Sequence, residues 1–201
     1  MIGDARRVLI PRSQIAERVR ELGARIASDL QSLSAATGES VVRWDDTGSP
    51  EPVDPGAEVV MIPILTGALV FTADLIRAIP LRMSIHTVAV SSYPGAATQS
   101  VGATIRGDVP RGLTGKHVIV VDDILDTGRT LAAIRDAILE QRPASLKICV
   151  LLRKERRRDS EVEADYVGFD IPDAFVVGYG LDFDGLYRNL PEILSLEEAE
   201  G

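Results

Sequence analysis

Short continuous apolar runs recur along the 201-residue chain, each ending at a glycine-containing turn and followed by apolar residues at helical spacing. Val118-Ile-Val-Val121 is entirely β-branched, the composition of a strand buried on both faces, and it stops at two adjacent carboxylates, Asp122 and Asp123. Beyond Asp126-Thr-Gly128, residues Leu131, Ile134, Ile138 and Leu139 share one face of a helix. Residues 59–65 form a second such strand, which passes through Thr66-Gly67-Ala68 into a helix over residues 69–79. Residues 85–92 and 146–152 read as further strands. Upstream, Ile15, Val19, Leu22, Ile26 and Leu30 mark a helical stripe across residues 12–33, with Ser13 as its N-cap. Repeated strand–turn–helix units without a fixed period imply an α/β fold, with a central, mainly parallel sheet flanked by helices.

The remaining segments read as connections. Residues 1–10 are a partly basic lead-in. Residues 34–56, rich in Gly, Ser, Pro and Asp, make a surface excursion with a short strand around 41–44 and Trp44 as a packing residue. Residues 91–104 are small, polar and almost chargeless, so they suit either a disordered loop or a lid over a ligand site. The charged run Arg153-Lys-Glu-Arg-Arg-Arg-Asp159 leaves the carboxyl end of a strand on the same sheet edge as the acidic pair. It reads as a solvated turn in which Lys154 lies near enough to the strand end to reach an anionic ligand. Residues 165–182 alternate short apolar pieces with Gly, Pro and Asp, which suggests a small lobe of short strands. There Phe175 is on frequency a core residue, and Asp182 suits a turn. The acidic tail 197–201 is expected to fray. One domain over 1–201 follows, with a core at about 57–160, a hood from about 1–20 and 161–195, and the excursion 34–56.

Charge and cysteine content narrow the setting. A net charge of −8 argues against nucleic acid or anionic membrane as a partner. No apolar stretch approaches the roughly 18 residues of a membrane span, and the N-terminus lacks a signal peptide's apolar core. Cys149, the single cysteine, sits within Ile148-Cys-Val-Leu-Leu and reads as a small buried hydrophobe in a reducing compartment. A cytoplasmic protein is expected.

The chemistry concentrates where the acidic strand meets its helix. Gly128 permits a close turn, and Thr127 and Thr130 bring hydroxyls beside the amides of a helix start, which together with the helix dipole seat a phosphate monoester. Asp122 and Asp123 stand at the carboxyl end of a strand, where open α/β sheets bind ligands. Regular alternation would turn at most one of them directly towards the ligand. Carboxylates next to a phosphate seat suit ribose hydroxyls and a hard cation such as Mg²⁺. Any one of these acids would serve equally as an N-cap in a solvated loop, but two acids ending an all-apolar strand have no packing purpose.

The run from Asp122 to Thr130 resembles the 5-phosphoribosyl-1-pyrophosphate signature of the type I phosphoribosyltransferases. From residue 8 to about 193 the chain is similar to the bacterial hypoxanthine-guanine members of that family. Four landmarks carry this: Leu65-Thr-Gly-Ala-Leu-Val-Phe71, Ser91-Ser-Tyr93, the signature itself, and Asp165-Tyr-Val-Gly-Phe169 with Phe175-Val-Val-Gly-Tyr-Gly-Leu-Asp182. The resemblance implies transfer of a 5-phosphoribosyl group to a 6-oxopurine with release of pyrophosphate, Mg²⁺ as cofactor, and assembly into a homodimer or homotetramer. It also implies roles for particular residues. Asp122 and Asp123 hold the ribose diol and the metal, residues Asp126, Thr127, Gly128, Arg129 and Thr130 cradle the 5-phosphate, and Asp126 exchanges a proton at purine N7. Leu65, Thr66, Gly67 and Arg188 bind pyrophosphate, with a cis Leu65–Thr66 peptide. Lys154 donates to the 6-oxo group, Phe175 stacks on the purine, Val176 reads its edge, and Asp182 helps hold metal through water. Ser92 and Tyr93 begin the lid. The chain departs from the family at Thr66 and Arg129, where Lys is frequent. A transferase acting on xanthine or uracil and a non-catalytic sensor of the phosphoribosyl donor are the alternative readings.

Overall fold

The structure, a computed structural model, describes residues 2–37, 58–91, 104–106, 109–155 and 161–198. In chain order the elements are β1 (Ile2–Ile10), α1 (Arg12–Thr37), β2 (Val59–Leu65), α2 (Leu69–Ala78), β3 (Met83–Ile85), β4 (Val88–Ser91) and β5 (Thr104–Arg106). They continue with β6 (His117–Leu125), α3 (Arg129–Leu139), β7 (Ser145–Lys154), β8 (Tyr166–Ile171), β9 (Phe175–Val177) and β10 (Ile193–Glu198).

A seven-stranded sheet runs β5-β4-β2-β6-β7-β8, with β3 also paired to β2. All of its pairs are parallel except β4 with β5. The β-branched strands lie at its centre because both faces are covered. On β6, Ile119 and Val121 pack with α1 and α2, whereas Val118 and Val120 pack with α3. Each such buried side chain contributes roughly 1.5–3 kcal/mol relative to exposure. The helical stripe read from residue 15 to residue 30 is buried at every position, and Cys149 lies in the same cluster. Burial pushes its thiol pKa up, which suits a packing role.

The sheet has a topological switch point. From β2 the chain passes through α2 to β3 and β4 on one side, and from neighbouring β6 it passes through α3 to β7 on the other. Ligands in open α/β sheets bind beyond the strand ends at such a place.

Several boundaries differ from those expected. Residues 2–10 are not a loose lead-in: β1 pairs antiparallel with β10. That pairing carries order to Glu198, opposite Ile2, so the tail expected to fray from residue 197 is a paired strand at its start. The expected hood from 161 onwards is divided, because β8 extends the main sheet beside β7 and only β9 and β10 join β1 in a separate three-stranded sheet. Helix α1 lies against α2 and β8, so its length belongs to the core and not to the hood. The expected single strand over 85–92 is two, β3 and β4, joined in tandem along β2, with the His86 N–H bonded to Met61 O at 3.0 Å between them. Most of the excursion 34–56 with Trp44, the loop residues Ser92 and Tyr93, and the basic residues 156–158 lie outside the described residues. Among the described residues no helix is long and apolar enough to cross a membrane.

Candidate active site

Strands β2 and β6 end side by side, and each delivers the chain into a helix. After β2 the Leu65–Thr66 peptide is cis, as the resemblance implies, and Gly67 and the buried Ala68 lead into α2. After β6, Gly128 takes φ 78°, a left-handed conformation that favours glycine, and its carbonyl accepts the first helical bond from the Ala132 N–H at 2.9 Å. Gly128, the N-cap of α3, has no side chain to cap the helix, and with Thr127 and Thr130 it lines the space beyond the strands, so the positive end of the helix dipole lies there.

A cavity of about 450 Å³ occupies that space. Leu65, Thr66 and Gly67 line one side; Asp122, Asp123, Asp126, Thr127, Gly128 and Thr130 line the other; Asp182 and Arg188 close it from the hood. A second cavity, of about 200 Å³, is lined by Lys154, Phe175, Val176 and Leu181. The two adjoin across Asp123, Ile124, Asp126 and Asp182, which line both. One expected donor-binding residue stands apart: Arg129 is exposed and lines neither cavity.

Both acids of the pair line the larger cavity, against the expectation that at most one would. The cause is local. Pairing of β6 with β2 stops at Val121, while pairing with β7 continues to Leu125. Across the acids the alternation slips, so that Ile124 packs with the α1–α2 cluster and Leu125 with the α3 cluster, the reverse of the order at residues 118–121. Asp122 is 8% exposed, and its Oδ1 accepts the Asp123 N–H at 3.0 Å. Burial foremost, then the neighbouring charge of Asp123, pushes the Asp122 pKa well up. Asp123 is also raised by burial, with its bonds to Asp122 and the Arg188 charge opposing the shift. A Cβ on Gly67 would overlap the Asp123 carboxylate, so glycine there is what lets the two strand ends approach.

The hood side is held by a short network. Arg188 Nη1 donates to Gly180 O at 2.6 Å, and its Nη2 pairs with Asp182 Oδ1 at 2.7 Å. The other Asp182 oxygen accepts the Gly185 N–H at 2.8 Å. The Tyr179 hydroxyl donates to Asp74 Oδ2 of α2 at 2.6 Å, joining hood to core. Gly180, at φ 106°, lies so close to Gly67 that a Cβ would strike the Gly67 carbonyl.

In the smaller cavity Phe175 is 46% exposed, which overturns its frequency-based reading as core, and it meets Phe183 edge-on with centroids 5.6 Å apart. Lys154, the last residue of β7, has an ammonium 3.6 Å from Asp126 Oδ2 and 3.1 Å from Asp173 Oδ1. Asp173, Phe183 and Tyr179 carry parts of this arrangement that sequence reasoning did not single out. Asp173 follows a proline and resembles any turn acid, and the other two look like ordinary apolar residues of short strands. Asp165-Tyr-Val-Gly-Phe169 proves architectural: Asp165 accepts the Ile148 N–H at 2.8 Å, and the Tyr166 hydroxyl donates to Asp29 of α1 at 2.9 Å.

The donor set suits Mg²⁺ of one particular kind. Among the described residues no group of three or more His, Cys, Asp or Glu could hold a metal. A buried carboxylate, Asp122, beside the partly buried Asp123, whose charge disfavours its own, does invite a divalent cation, and Mg²⁺ commonly takes one or two protein carboxylates and completes its shell with water and substrate oxygens.

Comparison with known proteins agrees with this geometry. Residues 50–184 match the phosphoribosyl transferase domain. The chain is 41% identical over 196 residues to a hypoxanthine-guanine phosphoribosyltransferase of Mycobacterium tuberculosis, covering 97% of this chain and 88% of that protein. It is 38% identical to the enzyme of that name from Aquifex aeolicus, covering 98% and 97%. A crystal structure of a hypoxanthine phosphoribosyltransferase from Staphylococcus aureus superposes with a TM-score of 0.77 at 38% identity, covering 95% of this chain and 91% of that one. The chain belongs to the phosphoribosyltransferase family.

Proposed function

We propose that this protein serves purine salvage, transferring the 5-phosphoribosyl group of 5-phosphoribosyl-1-pyrophosphate to hypoxanthine, and to guanine, with release of pyrophosphate. The carrying observation is the pair of adjoining cavities. One joins a helix N-terminus to two strand-end carboxylates, the other holds a lysine and an exposed phenylalanine, and Asp123, Asp126 and Asp182 are common to both.

The 5-phosphate sits at the α3 terminus, against the backbone and hydroxyls of Asp126–Thr130, where dipole and amides favour an anion; Arg129 would take part through its backbone. Pyrophosphate lies against Leu65, Thr66 and Gly67, within reach of Arg188. The purine enters the smaller cavity, on Phe175 and beside the Val176 backbone. A bond forms between purine N9 and ribose C1′ as the C1′–oxygen bond to pyrophosphate breaks, its electron pair leaving with pyrophosphate. While the leaving bond is broken further than the new bond has formed, positive charge develops on the ribose, where the carboxylates stabilise it. Asp126 accepts the proton at N7. Mg²⁺, when bound, supplies positive charge to the departing pyrophosphate; Asp122 and Asp123 would hold it, with Asp182, already tied to Arg188 and Gly185, acting through water. The Lys154 ammonium donates to a 6-oxo group. A 6-amino group would set donor against donor, at about 1–3 kcal/mol. Ser92 and Tyr93 as the start of a lid, and assembly as a homodimer or homotetramer, rest on the resemblance.

The test is turnover of the donor with Mg²⁺ and, separately, hypoxanthine, guanine, xanthine, adenine and uracil, beside Asp126→Asn. Nucleotide should form from hypoxanthine or guanine and fall about 10²–10⁴-fold in the variant. Turnover of xanthine or uracil alone would overturn the base assignment, and donor binding without turnover of any base would make the protein a sensor.

A further inference from the structure

Lys154 and Asp173 come from neighbouring parallel strands. Lys154 ends β7 opposite Ile171, the last residue of β8, and the Glu155 N–H bonds to Ile171 O at 2.9 Å. Asp173 stands two residues past that point, after Pro172, so sheet register rather than sequence proximity brings its carboxylate 3.1 Å from the Lys154 ammonium. The lysine side chain is 13% exposed, and Asp126 is its other carboxylate neighbour, at 3.6 Å. An ammonium is a compact point charge on a flexible stem, and one buried this far needs its donors placed. Of its two acids among the described residues, Asp173 is the nearer and lines neither cavity, whereas Asp126 lines both.

We propose that Asp173 is a positioning residue for purine selection: it anchors the Lys154 ammonium from outside the cavity, aiming a remaining N–H at the purine 6-position and keeping the lysine from closing onto Asp126. This rests on the proposed 6-oxopurine transferase reading. With the anchor neutralised, Asp126 is the close anionic partner left to Lys154 among the described residues. It would shift towards that carboxylate, so the donor to the 6-oxo group and the acceptor at N7 would occupy one another. The damage falls on the purine and spares the phosphoribosyl donor, whose contacts lie across the larger cavity.

The experiment is a kinetic cycle on the full chain with Asp173→Asn, Lys154→Met and the double variant, with thermal unfolding to establish that each is folded. Asp173→Asn should raise KM for hypoxanthine and guanine about tenfold, leave the donor KM within about twofold, and narrow the preference for hypoxanthine over adenine. In the Lys154→Met background the same substitution should add nothing, because its effect passes through the lysine. Asp173→Glu, which restores the charge one methylene further out, should recover part of the loss. A full Asp173→Asn effect persisting without Lys154, or one that falls on the donor KM, would overturn the inference, as would an unchanged purine KM. Wild-type turnover of hypoxanthine or guanine with an unaltered Asp173→Asn variant sinks this inference alone; no wild-type turnover of either sinks the transferase reading and this with it.

Discussion

Replacing Asp122 by Asn should make the metal-free protein more stable while impairing turnover. The exchange keeps the shape of the side chain. Its Oδ1 still accepts the Asp123 N–H, a bond of 3.0 Å in the wild type, and the new amide N–H groups face a carboxylate instead of being another one. What disappears is one charge on a group that is 8% exposed and pressed against a second acid. Relief of such a functional-site conflict is on the order of 1 kcal/mol, which for a chain of this length moves the unfolding midpoint about 2–4 °C. The sign follows from linkage. The folded state holds the Asp122 proton more tightly than the unfolded chain does, so wild-type stability falls as pH rises from the ordinary carboxylate range through the raised folded value. The variant lacks that loss. Its advantage should therefore grow as calorimetric unfolding in chelator is carried from about pH 5 to about pH 8. A variant no more stable than wild type at the upper end, or one whose gain is the same at every pH, would refute burial and mutual repulsion as the dominant forces on this pair.

Two substitutions probe the joint between hood and core. Tyr179→Phe removes the 2.6 Å bond to Asp74; since Asp74 keeps Arg77 and is 39% exposed, the loss should be about 1–2 kcal/mol, read as a midpoint lowered by about 2–8 °C. Gly180→Ala forces a side chain into a left-handed backbone and drives its Cβ into the Gly67 carbonyl. It should cost about 1–3 kcal/mol from the backbone conformation alone and raise the KM for the phosphoribosyl donor, since Gly67 and Arg188 flank that cavity; an unchanged donor KM would show that the contact is merely architectural.

Periodicity marked the central strands and the three long helices because each is written locally: β-branched runs demand two covered faces, and apolar residues at helical spacing demand one. The donor-side chemistry was legible for the same reason, since Asp122 to Thr130 is contiguous and its turn, acids and hydroxyls need no distant partner to be recognised. What escaped depended on long-range pairing. Residues 2–10 acquire meaning only from β10, nearly the whole chain away. The assignment of β8 to the main sheet depends on its partner β7 and not on its own composition. Phe175 reads as core until the fold leaves it at a cavity mouth. The slip in alternation that turns both acids into one cavity arises because β2 stops pairing one residue before them. Asp173 reaches Lys154 through strand register, a relation between two ladders that no single stretch of sequence encodes. Local chemistry is carried by neighbours in the chain, whereas the company each group keeps is set by which strands pair and where their pairing ends.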